Sequence, residues 1–167
     1  MLANKAALLP SLSAKGGIPY IPTMNAPLYN TEILRLAATI PHQQRLADAM
    51  GTSEKRSPIC GSRVTVDINT DAQGRVSDLG LLVRACALGQ ASSSLLGAAI
   101  IGKTAAEIAA ARDQLAAWLG GTGPLPAWPG FALFTPALPH SARHASIRLA
   151  FEAAAEAADS AAAIQPA

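Results

Sequence analysis

Cysteine is scarce in this chain. Two among 167 residues, Cys60 and Cys86, exclude a disulfide framework as the source of its stability. Aromatic residues make up 4%, so the interior must be filled mainly by small and aliphatic side chains. Charged residues are also few, at 14%, with a net charge of +2 and no basic stripe interleaved with aromatics. Nucleic-acid binding therefore has no electrostatic support. Apolar runs are short, and none approaches the roughly 20 residues that a bilayer-spanning helix needs, so no membrane span is expected. What the chain does have is alanine, 37 of them, within a hydrophobic share of 50%. Alanine is the strongest helix former, and the length fits one helix-rich soluble domain.

Residues 1–27 hold one short Ala-Ala-Leu-Leu stretch cut by Pro10, then Gly16, Gly17, Pro19, Pro22 and Pro27. A secretory signal needs a longer unbroken apolar region, so this segment is expected to be an irregular extension. Met24 stands just before the first patterned stretch and is a candidate alternative start, which N-terminal sequencing of the native protein would test. From Leu28, apolar residues recur at helical spacing through Ile33, Leu36 and Ile40, with Pro41 as the stop. Residues 42–58 read as a polar loop.

Val64, Val66 and Ile68 then alternate with polar residues, the pattern of a half-buried strand. Asp71-Ala72-Gln73-Gly74 supplies turn chemistry and Leu79, Leu81 and Val83 continue on one face, so residues 63–69 and 76–85 form an antiparallel hairpin. Ser92, Ser93 and Ser94 read as helix openers ahead of a short helix ended by Gly102. Thr104 with Glu107 forms a capping box before an amphipathic helix running to Trp118 and closed by Gly120 and Gly121. Residues 120–139, rich in proline and glycine, read as a loop or extended segment, followed by a last helix from Pro139 or Ser141 through Ile147, Leu149 and Phe151. No internal repeat is visible.

The hairpin bears on the cysteines. If Thr70 faces Arg75, paired positions sum to 145 and Cys60 lies opposite Ala85, beside Cys86. Both thiols then come to the open end of one hairpin, where directly opposed side chains have Cβ atoms about 5 Å apart. Two such thiols can form a disulfide, share a soft metal, or serve as small core residues. Their settings differ from plain packing positions: Cys60 stands beside Gly61 at the mouth of a strand, and Cys86 where a strand hands over to a helix.

With these residues in place, the chain resembles the IscU/NifU-type iron-sulfur cluster assembly scaffolds, from about Leu28 to Phe151. Leu28-Tyr29-Asn30-Thr31-Glu32-Ile33-Leu34 is similar to the family's first helix, Cys60-Gly61 to its first cysteine motif, and Cys86-Ala87-Leu88-Gly89-Gln90-Ala91-Ser92-Ser93-Ser94-Leu95 to its second cysteine, linker and serine-rich helix start. The long connection after Gly120 is more like that of SufU-type members. The resemblance implies an α+β fold, a small antiparallel β-sheet with helices packed on one face, over residues 28–160, with 161–167 as a flexible tail. It also implies a cytoplasmic scaffold or carrier rather than an enzyme. Its cargo would be iron or an iron-sulfur cluster, [2Fe-2S] first. Its partners would be a cysteine desulfurase, recipient apoproteins and, as an option, a second copy of itself in a homodimer.

Two departures stand out. The family's aspartate position is Ser62, and its third cysteine is Ala145 in Arg143-His144-Ala145-Ser146-Ile147. The resemblance leaves Cys60, Cys86 and His144 as candidate ligands, a set that suits iron or zinc. Zinc gives the alternative reading, an accessory that accepts sulfur from a desulfurase; a degenerate paralogue that binds no metal is a third. On its own, His144 reads as a surface or capping histidine, and His42 and His140 as solvent-exposed loop residues. The serine run fits helix capping better than a nucleophile, since no Gly-x-Ser-x-Gly elbow is present. Gly120-Gly121-Thr122-Gly123 lacks the lysine of a phosphate loop, and Trp118 and Trp128 read as core and loop anchors.

Overall fold

The computed structural model describes residues 27–165. The expected extension, apart from residue 27, lies outside them, as does Met24. In chain order the elements are α1 (Thr31–Ala38), β1 (Gly51–Arg56), β2 (Arg63–Thr70), β3 (Val76–Arg84), α2 (Ala87–Ala99), α3 (Ala105–Leu119), a 3-10 helix (Phe131–Ala137) and α4 (Ser141–Ile164). The fold is α+β: a three-stranded antiparallel sheet of order β1-β2-β3 with the helices on one face. Helix α1 opens on Asn30, whose side chain accepts from the Ile33 N–H at 3.1 Å, and α3 on the expected Thr104/Glu107 capping box.

Val64, Val66 and Ile68 of β2 are fully buried against the helices. Each such burial contributes roughly 1.5–3 kcal/mol. On the same face, by register, lie Gly51, Ser53 and Lys55 of β1. Helix α4 runs alongside β1 and β2 and presents Ala150, Ala153, Ala154, Ala157, Ala158 and Ala161, all buried. Backbones approach closely here: a Cβ on Gly51 would come within 1.9 Å of the Ala157 carbonyl oxygen. The abundance of alanine thus has a structural use, since larger side chains would hold α4 off the sheet. The helix continues past the expected boundary at 160 to Ile164, and Gln165 donates to Thr70 Oγ1 at 3.0 Å at the β2–β3 turn.

The other face of the sheet is covered at its turn end by residues 42–50. Leu81 N–H donates to the His42 carbonyl at 2.9 Å, and a Cβ on Gly80 would meet the Gln44 carbonyl oxygen at 2.5 Å. Asp67, fully buried, accepts from Arg45 Nε at 2.6 Å, Arg45 Nη2 at 3.1 Å, Thr52 Oγ1 at 2.7 Å and the Leu46 N–H at 3.0 Å.

Four expectations change. Residues 51–56, read as loop, form an edge strand with no apolar side chain to signal it. Ser92, Ser93 and Ser94 do not open a helix; α2 begins at Ala87 and the three are buried within it, Ser92 donating to the Ile147 carbonyl at 2.6 Å and Ser93 to the Gly89 carbonyl at 2.8 Å. Within the segment read as loop, Phe131 and Phe134 are buried on the 3-10 helix, the Phe131 and Trp128 rings lie 4.9 Å and 5.2 Å from the Phe151 ring, and Trp128 donates from Nε1 to the Leu95 carbonyl at 3.0 Å. The hairpin pairs with positions summing to 147 along most of its length, Arg63 opposite Arg84, because the turn takes in Arg75 so that Thr70 faces Val76, and a bulge at Asn69/Thr70 adds one more residue.

Candidate functional site

Strands β1 and β2 are joined by Ser57-Pro58-Ile59-Cys60-Gly61-Ser62, a loop closed by a 2.8 Å bond from the Ser57 N–H to the Ser62 carbonyl. Gly61 has φ +68°, which an L side chain rarely adopts, so glycine lets the chain turn back directly after Cys60. Cys60 is exposed at this tip. Its sulfur lies 2.9 Å from Ser146 Oγ and 3.1 Å from Ser62 Oγ, and the Cys60 N–H donates to Ser57 Oγ at 3.4 Å. All three serines are buried.

Ser146 reaches the loop because α4 starts at this end of the sheet and α2 packs tightly on it. A Cβ on Gly89 would lie 3.1 Å from the Ser146 carbonyl oxygen, and Ser92 binds the next carbonyl. Burial on its own pushes the Cys60 thiol up. Hydrogen bonds from Ser146, Ser57 and the Ser62 hydroxyl and backbone outweigh it and bring the thiol down to about 6. At neutral pH Cys60 is therefore mostly thiolate, the nucleophilic and metal-binding form.

Cys86 is the N-cap residue of α2, half-buried, and its side chain makes no capping bond. The last paired residues of the central and third strands are Arg63 and Arg84, so Cys60, three residues before one, and Cys86, two after the other, stand at the same end of the sheet. The expected common end is correct. Its geometry is not, because Cys60 belongs to the β1–β2 loop and does not pair with Ala85.

His144 is anchored through one ring nitrogen. Its Nε2 lies 2.9 Å from the Ala137 carbonyl oxygen, tying the start of α4 to the 3-10 helix. Among the described residues, no three His, Cys, Asp or Glu side chains gather into a group able to hold a metal ion. His42 and His140 are exposed, as expected. Ser146, one residue after Ala145, carries no sequence signal as a site residue, and Ser62 stands out in the sequence only for the carboxylate it lacks.

A family model for the NifU-like N-terminal domain matches residues 28–160. The chain belongs to that family. Among solved structures, it is similar to the N-terminal part of a nitrogen-fixing NifU-like protein from Brucella abortus, with 37% identity and a TM-score of 0.76 over 85% of this chain and 99% of that one. It shares its fold with a protein from Fervidobacterium islandicum AW-1 assigned to iron-sulfur cluster assembly scaffolding in the SUF system, at 20% identity, TM-score 0.72, and coverage of 78% of this chain and 96% of that one. No curated protein matches the sequence at a significant level. Among the described residues, no helix of this NifU-like domain is long and apolar enough to cross a membrane.

Proposed function

We propose that the chain is a scaffold or carrier for iron-sulfur cluster assembly, a role that requires no catalytic turnover, and that Cys60 and Cys86 supply its thiolate donors. The observation that carries this reading is the Cys60 loop: an exposed thiol, brought to about 6 by three buried serines, at the sheet end that also carries Cys86. Thiolates are soft donors suited to iron and sulfide, and a cargo that must be passed on needs a ligand at the surface. The cargo would be [2Fe-2S] or iron, received with sulfur from a cysteine desulfurase and handed to apoproteins.

Two thiolates do not complete a four-coordinate iron or zinc site. His144 would join them through Nδ1, since its Nε2 is held by the Ala137 carbonyl, and the remaining donor would come from a partner or a second copy. The zinc-bound sulfur acceptor is the weaker reading, since a tight structural zinc site is closed by four ligands of its own chain.

Anaerobic reconstitution with ferrous iron, sulfide and a cysteine desulfurase, followed by metal analysis and visible absorption, is the test. Sulfide and iron near parity with charge-transfer bands, lost in Cys60→Ser and Cys86→Ser, is the expected result. Stoichiometric zinc without sulfide would favour the accessory, and no metal under either condition would remove both.

A further inference from the structure

Among the described residues, the sheet face opposite the helices is covered at its turn end by residues 42–50, whereas Arg56 and Arg84 at its Cys60 end are exposed. Across that end runs one rung of three arginines: Arg56 is opposite Arg63, and Arg63 opposite Arg84. Directly opposed residues share a face, and like charges so placed are destabilising. Edge protection against strand pairing accounts for a charge on β1 or β3. It does not account for Arg63 on the central strand.

The neighbouring rung holds Glu54, Thr65 and Leu82. Glu54 is shared between Arg56 at 2.7 Å and Arg63 at 3.8 Å, while Arg84, exposed, makes no ion pair among the described residues. Three cations against one carboxylate leave a net positive rung. Leu82 is 38% exposed beside it and Ile59 70% exposed beside Cys60. Arginine is among the residues enriched at protein interfaces and at their hot spots. A nucleic-acid surface would need a longer basic track and aromatic platforms, and this face has neither.

We infer that the Arg56–Arg63–Arg84 rung is a docking surface for an acidic segment of a partner protein, which it brings to the Cys60 loop. The inference deepens the scaffold reading, in which a sulfur donor or a cluster recipient must reach Cys60, but docking itself requires no cluster.

The test titrates a labelled oligo-glutamate peptide with the full-length metal-free chain, using oligo-glutamine of equal length as control. The glutamate peptide should bind and the glutamine peptide should not, with binding weakened by added salt. Joint replacement Arg56→Gln, Arg63→Gln and Arg84→Gln should weaken it about tenfold, as three exposed ion pairs of ordinary strength would supply. Arg84→Gln alone should weaken it about twofold with an unchanged or raised melting temperature, and Arg35→Gln, the same charge change on α1, should have no effect. Equal binding by wild type and the triple variant would overturn the proposal. So would an equal loss in Arg35→Gln, or stronger rung-dependent binding of an oligonucleotide or of anionic vesicles. A chain that assembles no cluster yet binds through the rung would keep the docking surface and lose the scaffold reading; a cluster without such binding would do the reverse.

Discussion

Strand β2 has an acid near each end, and the protein keeps both ionised by different means. Asp67 is fully buried toward the turn end; Cys60 is exposed just before the strand begins. For both, burial is the largest influence and opposes charge, and hydrogen bonds outweigh it. Asp67 relies on a cation, Arg45, with Thr52 and the Leu46 N–H filling its remaining lone pairs. Cys60 relies on neutral serines alone. A carboxylate with four donors is saturated and can only hold structure, whereas a thiolate held by hydroxyls keeps an open side and no counter-charge to displace. The first arrangement suits anchoring the 42–50 segment, and the second suits accepting a metal or sulfur.

The largest expected effect breaks the anchored end. Asp67→Ala removes a buried acceptor from the Leu46 N–H and should cost roughly 2–3 kcal/mol in urea unfolding; Thr52 is exposed and Arg45 half exposed, so both recover water, which keeps the loss below that of a fully buried pair. The pH dependence follows from the sign. A carboxyl held low contributes stability that is full above its unfolded value near pH 4 and is lost as pH falls through the lower folded value. Wild type should lose stability in that acid window, and the variant should be flatter there.

Next come changes at the Cys60 end, read as the thiolate titration in a Cys86→Ser background. Ser62→Asp places a second negative charge beside the sulfur and should raise the Cys60 pKa, slowing alkylation at pH 7 about tenfold. Ser146→Ala removes one neutral donor and should slow it about twofold, with little change in unfolding free energy. If Ser62→Asp left the titration where it is, the hydroxyl cage would not be what holds the charge.

The anchored and reactive ends were unequally legible in the sequence. Alternation of Val64, Val66 and Ile68 announced β2, and Thr104 with Glu107 announced α3, because each depends on local pattern. β1 was hidden: its helix-facing residues are Gly51, Ser53 and Lys55, chosen for the close approach of α4 rather than for hydrophobicity. That strand turns Cys60 into a loop of its own, so hairpin arithmetic found the right end of the sheet with the wrong partner. Family motif order pointed to Cys60, Cys86 and His144, but not to Ser146, 86 positions from Cys60, whose role exists only once α4 is laid along the sheet. The Ala137 carbonyl that engages one ring nitrogen of His144 was equally hidden, because it depends on the 3-10 helix within the segment read as loop.

The smallest expected effect joins the two ends in a single measurement. A thiol whose folded value is lowered contributes stability that is fully present above its unfolded value near pH 8.5 and lost as pH falls through about 6. Wild type should therefore gain stability slightly from pH 6 to 8.5, and Cys60→Ser should show no such rise while keeping the acid-side loss that belongs to Asp67. Exposure of Cys60 keeps this slope shallow, so chemical unfolding midpoints at closely spaced pH values are the appropriate measure. An unchanged slope in Cys60→Ser would mean that the serines pack the loop without stabilising its charge, and the distinction between an anchored acid and a poised one would fall.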